Sequence, residues 1–232
     1  MLFILNKNST FVANNQQMIR ETRIVSIHNT PMVIFDSPEC ISDDIVKYND
    51  FWEFELFNAW QWYFPTQGLM LDIGANIGGH CVQFKHYFPD LEIWAFELHH
   101  DNYRVLAQNI KRYSDVKAFN VGVGSRTSVI TYNDGHHSNS GVVKVVPGGN
   151  NYNIVLALDD LDIPPVSFIK IDIEGFELSA FEGMTKLIER DYPLIWLEDI
   201  TANNQAVAYL ISLGYDIIAL NKETSDFLMH KK

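Results

Sequence analysis

Short apolar runs alternate with helical segments from residue 68 onward, and this alternation constrains the fold more than any other feature. The runs lie at residues 68–73, 91–96, 116–121, 167–172 and 193–198. Helical spacing follows four of them, whereas a polar insertion rich in Asn, Gly and His follows the third. Strands that are separated by helices pair in parallel, and the helices cover both faces of the sheet. The sequence therefore predicts a mostly parallel α/β sheet.

The two ends of the chain have different patterns. After a helix near residues 202–213, two apolar runs around a polar turn at 221–224 predict a hairpin that closes the sheet edge. Near the start, residues 22–35 also have the pattern of a hairpin, and residues 51–64 predict an aromatic helix with Asp50 as its N-cap. We therefore expect an N-terminal extension, residues 1–66, that packs on a main domain, residues 67–232.

Composition excludes several classes of protein. The chain has 232 residues, of which 47% are hydrophobic and 20% are charged, as in soluble globular proteins. Its formal net charge of -12 opposes general binding to nucleic acid or anionic lipid. Cys40 and Cys81 form no disulfide framework or zinc motif, and the opening MLFIL is too short for a signal sequence or a membrane span. We expect a cytoplasmic protein.

Ligands of open parallel sheets bind beyond the carboxyl ends of the strands. The first strand ends in a glycine turn, LDIGANIGG, in which small residues permit a close backbone approach and a helix begins. Its spacing, Gly74-xxx-Gly78-Gly79, lacks the GxG opening of dinucleotide sites. A ligand with a carboxylate and a ribose therefore fits better than a pyrophosphate, and this argues against an NAD-dependent oxidoreductase.

The second and third strands end in residues that suit a nucleoside. Glu97 follows the second strand, where a carboxylate accepts hydrogen bonds from both ribose hydroxyls, although an ordinary charge at a strand end is the alternative. Asn120 and Val121 follow the third strand beside small residues that admit an adenine edge, or that simply form a turn.

Acidic residues cluster after the fourth and fifth strands. Lys170, Asp172 and Glu174 lie at the first of these junctions, and Glu198 and Asp199 at the second. Buried charges without partners are costly, so we expect this cluster to face the cleft. Carboxylates grouped in this way suit a divalent cation or a general base.

Four motifs together resemble the FkbM family of S-adenosylmethionine-dependent methyltransferases. They are LDIGANIGG, the acid in AFELHHDN, the run FIKIDIEGFE, which is the most specific, and PLIWLE. The likeness covers about residues 67–200. It implies a class I, Rossmann-like fold: a mostly parallel seven-stranded sheet with a C-terminal antiparallel hairpin and helices on both faces.

The resemblance also implies a cofactor, a reaction and a set of site residues. The cofactor is S-adenosyl-L-methionine, and the reaction is methyl transfer to a hydroxyl of a sugar, a glycan or a glycosylated natural product. The residues expected to hold the amino-acid end of the cofactor are Asp72, Gly74, Asn76 and Gly78. Glu97 is expected at the ribose, and Asp172 and Glu174 between the methyl donor and the acceptor.

Methyl transfer to an alcohol requires help in removing a proton, and two arrangements provide it. In one, His136 or His137 from the polar insertion acts as the base. In the other, Asp172 with Glu198 or Asp199 holds Mg²⁺, which lowers the pKa of the hydroxyl. We also expect the aromatic helix to form a wall of the acceptor cleft, with Glu53 or Glu55 near the hydroxyl.

Two other functions remain as alternatives. A catalytically inactive subunit would keep the sheet and bind the cofactor without chemistry, and a methyltransferase of non-sugar small molecules would share every motif. Cofactor binding and turnover distinguish the first alternative, and a panel of acceptors distinguishes the second.

Overall fold

The computed structural model describes residues 20–36, 38–133, 144–201 and 203–231. Its first elements are strands β1 (Thr22–Ile27) and β2 (Thr30–Phe35) and helices α1 (Cys40–Tyr48) and α2 (Phe54–Trp60). β1 and β2 pair in antiparallel, which confirms the predicted hairpin. The turn between them consists of His28 and Asn29, both with positive φ, as in the turns that match the twist of a two-residue hairpin.

The following elements begin as alternating strands and helices and then include a run of strands from β5 to β10. They are β3 (Gly68–Ile73), α3 (Gly79–Tyr87), β4 (Leu91–Phe96), α4 (His100–Ile110), β5 (Val116–Phe119), β6 (Gly122–Val123), β7 (Ser128–Asn133), β8 (Lys144–Val145), β9 (Asn151–Leu156), β10 (Val166–Ile171), α5 (Glu177–Glu182), α6 (Thr185–Asp191), β11 (Leu194–Glu198), α7 (Gln205–Ser212), β12 (Asp216–Asn221) and β13 (Asp226–His230). Two short 3-10 helices lie at Gln61–Tyr63 and Leu158–Asp160.

The central sheet has seven strands in the order β12-β13-β11-β10-β3-β4-β5. Neighbouring strands pair in parallel from β11 to β5, and β13 runs antiparallel to both β11 and β12. The predicted α/β fold, with a mostly parallel seven-stranded sheet and a C-terminal antiparallel hairpin, is therefore confirmed. The hairpin does more than close the edge, because its last strand lies inside the sheet.

The two faces of the sheet contribute to different hydrophobic cores because successive side chains of a strand point to opposite faces. On β3, Leu69 and Leu71 pack in the core that includes residues of α5, α6 and α7. Met70 of the same strand packs in the core that includes residues of α2, α3 and α4. Helices therefore cover both faces, as predicted.

Three features of the structure differ from the expectations. The predicted helix over residues 177–191 is two helices, α5 and α6, interrupted at Gly183. Gly183 lies so close to the backbone of Gly124 that a β-carbon there would overlap it, and the helix breaks at this contact. The polar insertion contains a second sheet, β6-β9-β7-β8, which the sequence pattern did not indicate.

The third difference concerns the aromatic helix. α2 begins at Phe54, with Glu53 at its N-cap position, whereas Asp50 bonds to the Phe51 amide and to His28. The structure also contains α1, capped by the Glu39 carboxylate at the amides of Ile41 and Ser42. The division of the chain at residue 66 stays a prediction. Within the described residues, no helix has both the length and the apolar character needed to cross a membrane.

Candidate functional site

A cavity of about 680 Å³ opens at the carboxyl ends of the central strands. Its volume lies within the range typical of small-molecule sites. Residues that follow β3, β4, β5, β10 and β11 line one part of it, and residues from the α1–α2 region and the β12–β13 turn line another. The position agrees with the rule that open parallel sheets bind ligands beyond their carboxyl ends.

The glycine turn after β3 brings two predicted cofactor residues to this cavity, Gly74 and Asn76. Gly74 has φ of 83°, and a β-carbon there would overlap the backbone oxygen of Asp172. Glycine is therefore required where the ends of β3 and β10 meet. Asn76, with φ of 51°, has a buried side-chain oxygen that no described residue satisfies, so this oxygen is free to accept from a ligand.

Glu97 lies after β4 and is almost completely buried at the cavity wall. Its two carboxylate oxygens accept hydrogen bonds from the backbone amides of Asn76 at 2.8 Å and His99 at 2.7 Å. Burial raises its pKa to about 7, against the opposing effect of these two amides. Each oxygen of a carboxylate accepts more than one donor, so Glu97 retains the capacity to bind ribose hydroxyls.

Val121 also lines the cavity. Three other predicted cofactor residues, Asp72, Gly78 and Asn120, do not line it and contact neighbouring residues instead. Asp72 is fully buried and accepts from the Cys81 thiol at 3.1 Å, because its side chain points to the face that α3 covers. Gly78 precedes α3 and packs against Leu106. The Asn120 amide donates to the Glu97 carbonyl oxygen at 2.8 Å.

The buried side chain of Lys170 lies among the acidic residues at the ends of β3 and β10. Lys170 Nζ lies 3.5 Å from Asp172 Oδ2. Burial lowers the pKa of Lys170, but the nearby carboxylates of Asp172, Asp72, Glu53 and Asp226 outweigh it and raise the pKa above its usual range. Lys170 therefore stays protonated and compensates part of the negative charge.

Asp172, Glu174 and Glu198 meet at the cavity wall, as the sequence predicts for the end of the fourth and fifth strands. Burial raises the pKa of Glu198 well above its usual range, and the adjacent Asp172 carboxylate, to which Glu198 hydrogen-bonds, raises it further. Glu198 therefore keeps its proton near neutral pH and can donate it in a hydrogen bond to the Asp172 carboxylate. Burial likewise raises the pKa of Glu174.

Of the two partners proposed for Asp172 at a Mg²⁺ site, Glu198 lines the cavity and Asp199 does not. Glu198 is the last residue of β11 and Asp199 follows it, and successive residues of an extended chain point to opposite sides. The Asp199 carboxylate accepts from the backbone amides of Thr201, Ala206 and Val207, where it stabilises the start of α7. Across the described part of the chain, no group of three or more His, Cys, Asp or Glu is arranged to hold a metal ion.

Two predicted site residues, His136 and His137, lie outside the described residues. Of the two glutamates expected near the acceptor, Glu53 lines the cavity and Glu55 is exposed away from it. Trp52 also lines the cavity, but Trp60 is buried in the core and Trp62 is 86% exposed. The aromatic helix is therefore a core element, and the two residues directly before it, Trp52 and Glu53, contribute to the wall.

Sequence reasoning missed the buried His80, whose Nε2 lies 3.2 Å from Glu53 Oε2. Its place directly after the glycine turn was the available signal, because that turn puts the start of α3 beside the cleft. The contribution of Glu223 and Thr224, in the turn between β12 and β13, was also missed. Nothing in their local sequence indicates that the hairpin folds back to the cavity.

Comparisons with known proteins bear on the family and the fold of the chain. A family profile described as the methyltransferase FkbM domain matches residues 72–219. The hexuronic acid methyltransferase AglP of Haloferax volcanii is 25% identical over 172 residues, which cover 71% of this chain and 70% of that protein. The crystal structure of a methyltransferase FkbM from Methylobacillus flagellatus superposes with a TM-score of 0.57 at 24% identity. That match covers 72% of this chain and 44% of the other, so it spans less than half of the other protein's length.

Proposed function

The chain belongs to the FkbM family of methyltransferases, and from that membership we propose that it transfers a methyl group from S-adenosylmethionine to a hydroxyl of a sugar or glycan. The single observation that carries the cofactor assignment is Glu97, buried at the end of β4 with both oxygens fixed by backbone amides. The name of the Haloferax volcanii relative supports a sugar acceptor.

The described residues fit this cofactor. The unsatisfied side-chain oxygen of Asn76 is an acceptor for an ammonium group. Glu97 accepts ribose hydroxyls, and Val121 offers an apolar surface to the base. Bound there, S-adenosylmethionine supplies an electrophilic methyl group.

The remainder of the cavity is suited to an acceptor with many hydroxyls. Trp52 offers an aromatic surface, the carboxylates of Glu53 and Asp172 supply acceptors, and the protonated carboxyl group of Glu198 supplies a donor. Neighbouring hydroxyls of a sugar both donate and accept, so this mixture holds a ring in one orientation. Fixing the reacting oxygen in line with the methyl group contributes a large share of the rate.

The experiment is methyl transfer by the purified protein with isotope-labelled S-adenosylmethionine and a panel of neutral sugars, uronic acids and glycans. We expect an O-methylated product, and cofactor binding by calorimetry that Glu97→Gln weakens about 100-fold. Parallel reactions with a chelator or added Mg²⁺ test whether Asp172 and Glu198 act with a metal ion. The Glu55→Gln variant is the matched control, because this glutamate lies on the surface of α2.

Three outcomes would contradict the proposal in different ways. Cofactor binding without turnover on any acceptor would favour the inactive subunit. Methylation of a nitrogen or a carbon would contradict transfer to a hydroxyl. Turnover of non-sugar alcohols alone would contradict a sugar acceptor.

A further inference from the structure

We propose that Glu53 accepts the proton of the acceptor hydroxyl and that the buried imidazole of His80 positions the Glu53 carboxylate. This assignment rests on the proposed function and names the group that the reaction needs beside the acceptor. Glu53 precedes the residues 72–219 that match the family, so the proposed base comes from a part of the chain outside that match.

Glu53 is held at the cavity by its backbone. It has φ of 54°, a left-handed conformation that is costly for a residue with a side chain. The cost is sustained because α2 begins at the next residue and buries Phe57 and Trp60 in the core. The side chain lines the cavity and is 20% exposed. Glu53 therefore combines a fixed backbone with access to a ligand.

The buried imidazole of His80 lies against the Glu53 carboxylate. It lies in α3, is 5% exposed, and places Nε2 3.2 Å from Glu53 Oε2. The edge of its ring contacts Trp196, with 5.1 Å between the ring centroids. Trp196 in turn donates from Nε1 to Asp226 Oδ1 at 2.7 Å. His80 Nε2 thus lies against one oxygen of Glu53, and the Glu53 carboxylate remains at the cavity wall, where it can accept from a ligand.

Three other acids of the cavity are engaged with other groups or lie at its rim. Asp172 pairs with Lys170 and hydrogen-bonds with Glu198. Glu97 accepts two backbone amides at the cofactor end. Glu223 is exposed at the rim. Among the carboxylates that the described residues bring to the cavity, Glu53 combines access to the ligand with a buried positioning partner.

The proposed step balances as follows. The O–H bond of the acceptor breaks as its oxygen forms a bond to the methyl carbon, and the proton passes to the Glu53 carboxylate. The electron pair of the broken carbon–sulfur bond remains on sulfur, so the sulfonium charge is lost. Glu53 then releases the proton to solvent through the open cavity.

The titratable groups that face Glu53 come from four elements: His80 of α3, Lys170 of β10, Glu198 of β11 and Asp226 of β13. Lys170 is the cation among these buried groups, and it offsets part of the negative charge around the Glu53 carboxylate.

The decisive experiment compares Glu53→Gln with Glu55→Gln in the full-length protein. We expect kcat to fall about 100-fold or more in Glu53→Gln, as for removal of a general base, with cofactor affinity by calorimetry within about twofold of wild type. Glu55→Gln should retain wild-type values for both. If Glu53→Gln does not fold, Glu53→Asn repeats the test with a residue that tolerates the left-handed conformation.

His80 is tested by whether its loss lowers kcat without weakening the binding of either substrate. His80→Phe keeps a ring against Trp196 but removes the nitrogen that lies against Glu53, so kcat should fall about tenfold while KM for the acceptor and the affinity for the cofactor stay within about twofold of wild type. His80→Gln, which restores a nitrogen, should return kcat toward wild type. Turnover of Glu53→Gln within about threefold of wild type would overturn the role of Glu53, and an unchanged kcat in His80→Phe would overturn that of His80. Absence of cofactor binding by the wild-type protein would overturn the proposed function as well.

Discussion

The two halves of the cavity are built from different parts of the chain. Gly74, Asn76, Glu97 and Val121 form the proposed cofactor half, and all lie within residues 72–219 that match the FkbM family. The proposed acceptor half takes its other wall from residues on both sides of that match, among them Trp52 and Glu53 before it and Glu223 and Thr224 after it. Membership of the family therefore says much about the first half and little about the second.

The halves also differ in how their polar groups are fixed. In the cofactor half, backbone amides hold the Glu97 carboxylate, and a tight turn places Asn76 beside it. In the acceptor half, side chains hold one another, as in the Lys170–Asp172 and His80–Glu53 pairs. Contacts that use the backbone depend on the fold alone, whereas contacts between side chains change with single substitutions. We therefore expect variation in acceptors to arise from the second half.

The largest effect should come from Gly74→Ala, compared with Gly175→Ala as its control. Both glycines have positive φ, 83° and 99°, but a β-carbon on Gly74 overlaps the Asp172 backbone while one on Gly175 meets no atom within 4 Å. Gly74→Ala should lower the free energy of unfolding by at least about 3 kcal/mol and abolish cofactor binding. Gly175→Ala should cost about 1 kcal/mol. Urea unfolding and calorimetry measure both quantities, and equal losses in the two variants would contradict the steric explanation.

Glu97 allows the cofactor half to be tested by pH. Its pKa is raised from 4.5 to about 7, so between these values the folded protein binds more protons than the unfolded chain. The free energy of unfolding of the cofactor-free protein should therefore fall as pH rises through this window, by about 3 kcal/mol from this group. Asp226, with a pKa raised by burial to about 6, acts in the same direction.

The Glu97→Gln variant isolates the contribution of this one group. Its free energy of unfolding should depend less steeply on pH between 5 and 8 than that of the wild type, as urea titrations at several pH values will show. Cofactor binding below pH 7 should release a proton from the wild type, because the ribose hydroxyls favour the ionised carboxylate. Calorimetry in buffers of different ionisation enthalpy detects that proton, and its persistence in Glu97→Gln would assign it to another group.

The smallest effect should appear in the acceptor half. Trp52→Ala removes an aromatic surface from the cavity wall, and we expect KM for the acceptor to rise about tenfold, equivalent to about 1.4 kcal/mol. The affinity for the cofactor should stay within twofold. Trp62→Ala is the matched control, because this residue is exposed and does not line the cavity. A weaker cofactor affinity in Trp52→Ala would show that the two halves are not separate.

The sheet was predictable because its signals are local. β4 runs from Leu91 to Phe96 as the apolar pattern indicates, and the turn at Gly74 and the acid at Glu97 follow their strands as expected. The strands β7 and β9 were missed because apolar residues such as Val129 and Tyr152 lie on their exposed faces. These strands therefore lack the regular alternation of apolar and polar residues that marks a half-buried strand. The break between α5 and α6 was missed because Gly183 meets a backbone that is distant in sequence.

The sequence predicted that residues at the strand ends reach the site, but not which side each of them faces or which residues pair with them. Placement after a strand brought Glu97, Asp172 and Glu198 to the cavity. The same rule did not bring Asp199 there, because Asp199 directly follows Glu198, successive residues of an extended chain face opposite sides, and the sequence alone does not show which side carries the ligand. The pairing of His80 with Glu53 depends on how α2 packs on α3, a tertiary contact that no local pattern encodes.

The position of β13 has a consequence for how the protein folds during synthesis. β13 (Asp226–His230) is the last strand in the described chain, yet it lies between β11 and β12 and also supplies Asp226 to Trp196. Until those residues leave the ribosome, β11 presents an unpaired edge and β12 has no partner in the sheet. The nascent chain therefore passes through a stage in which β11 is open to pairing with other strands, and the wall of the proposed acceptor half is complete only after that stage.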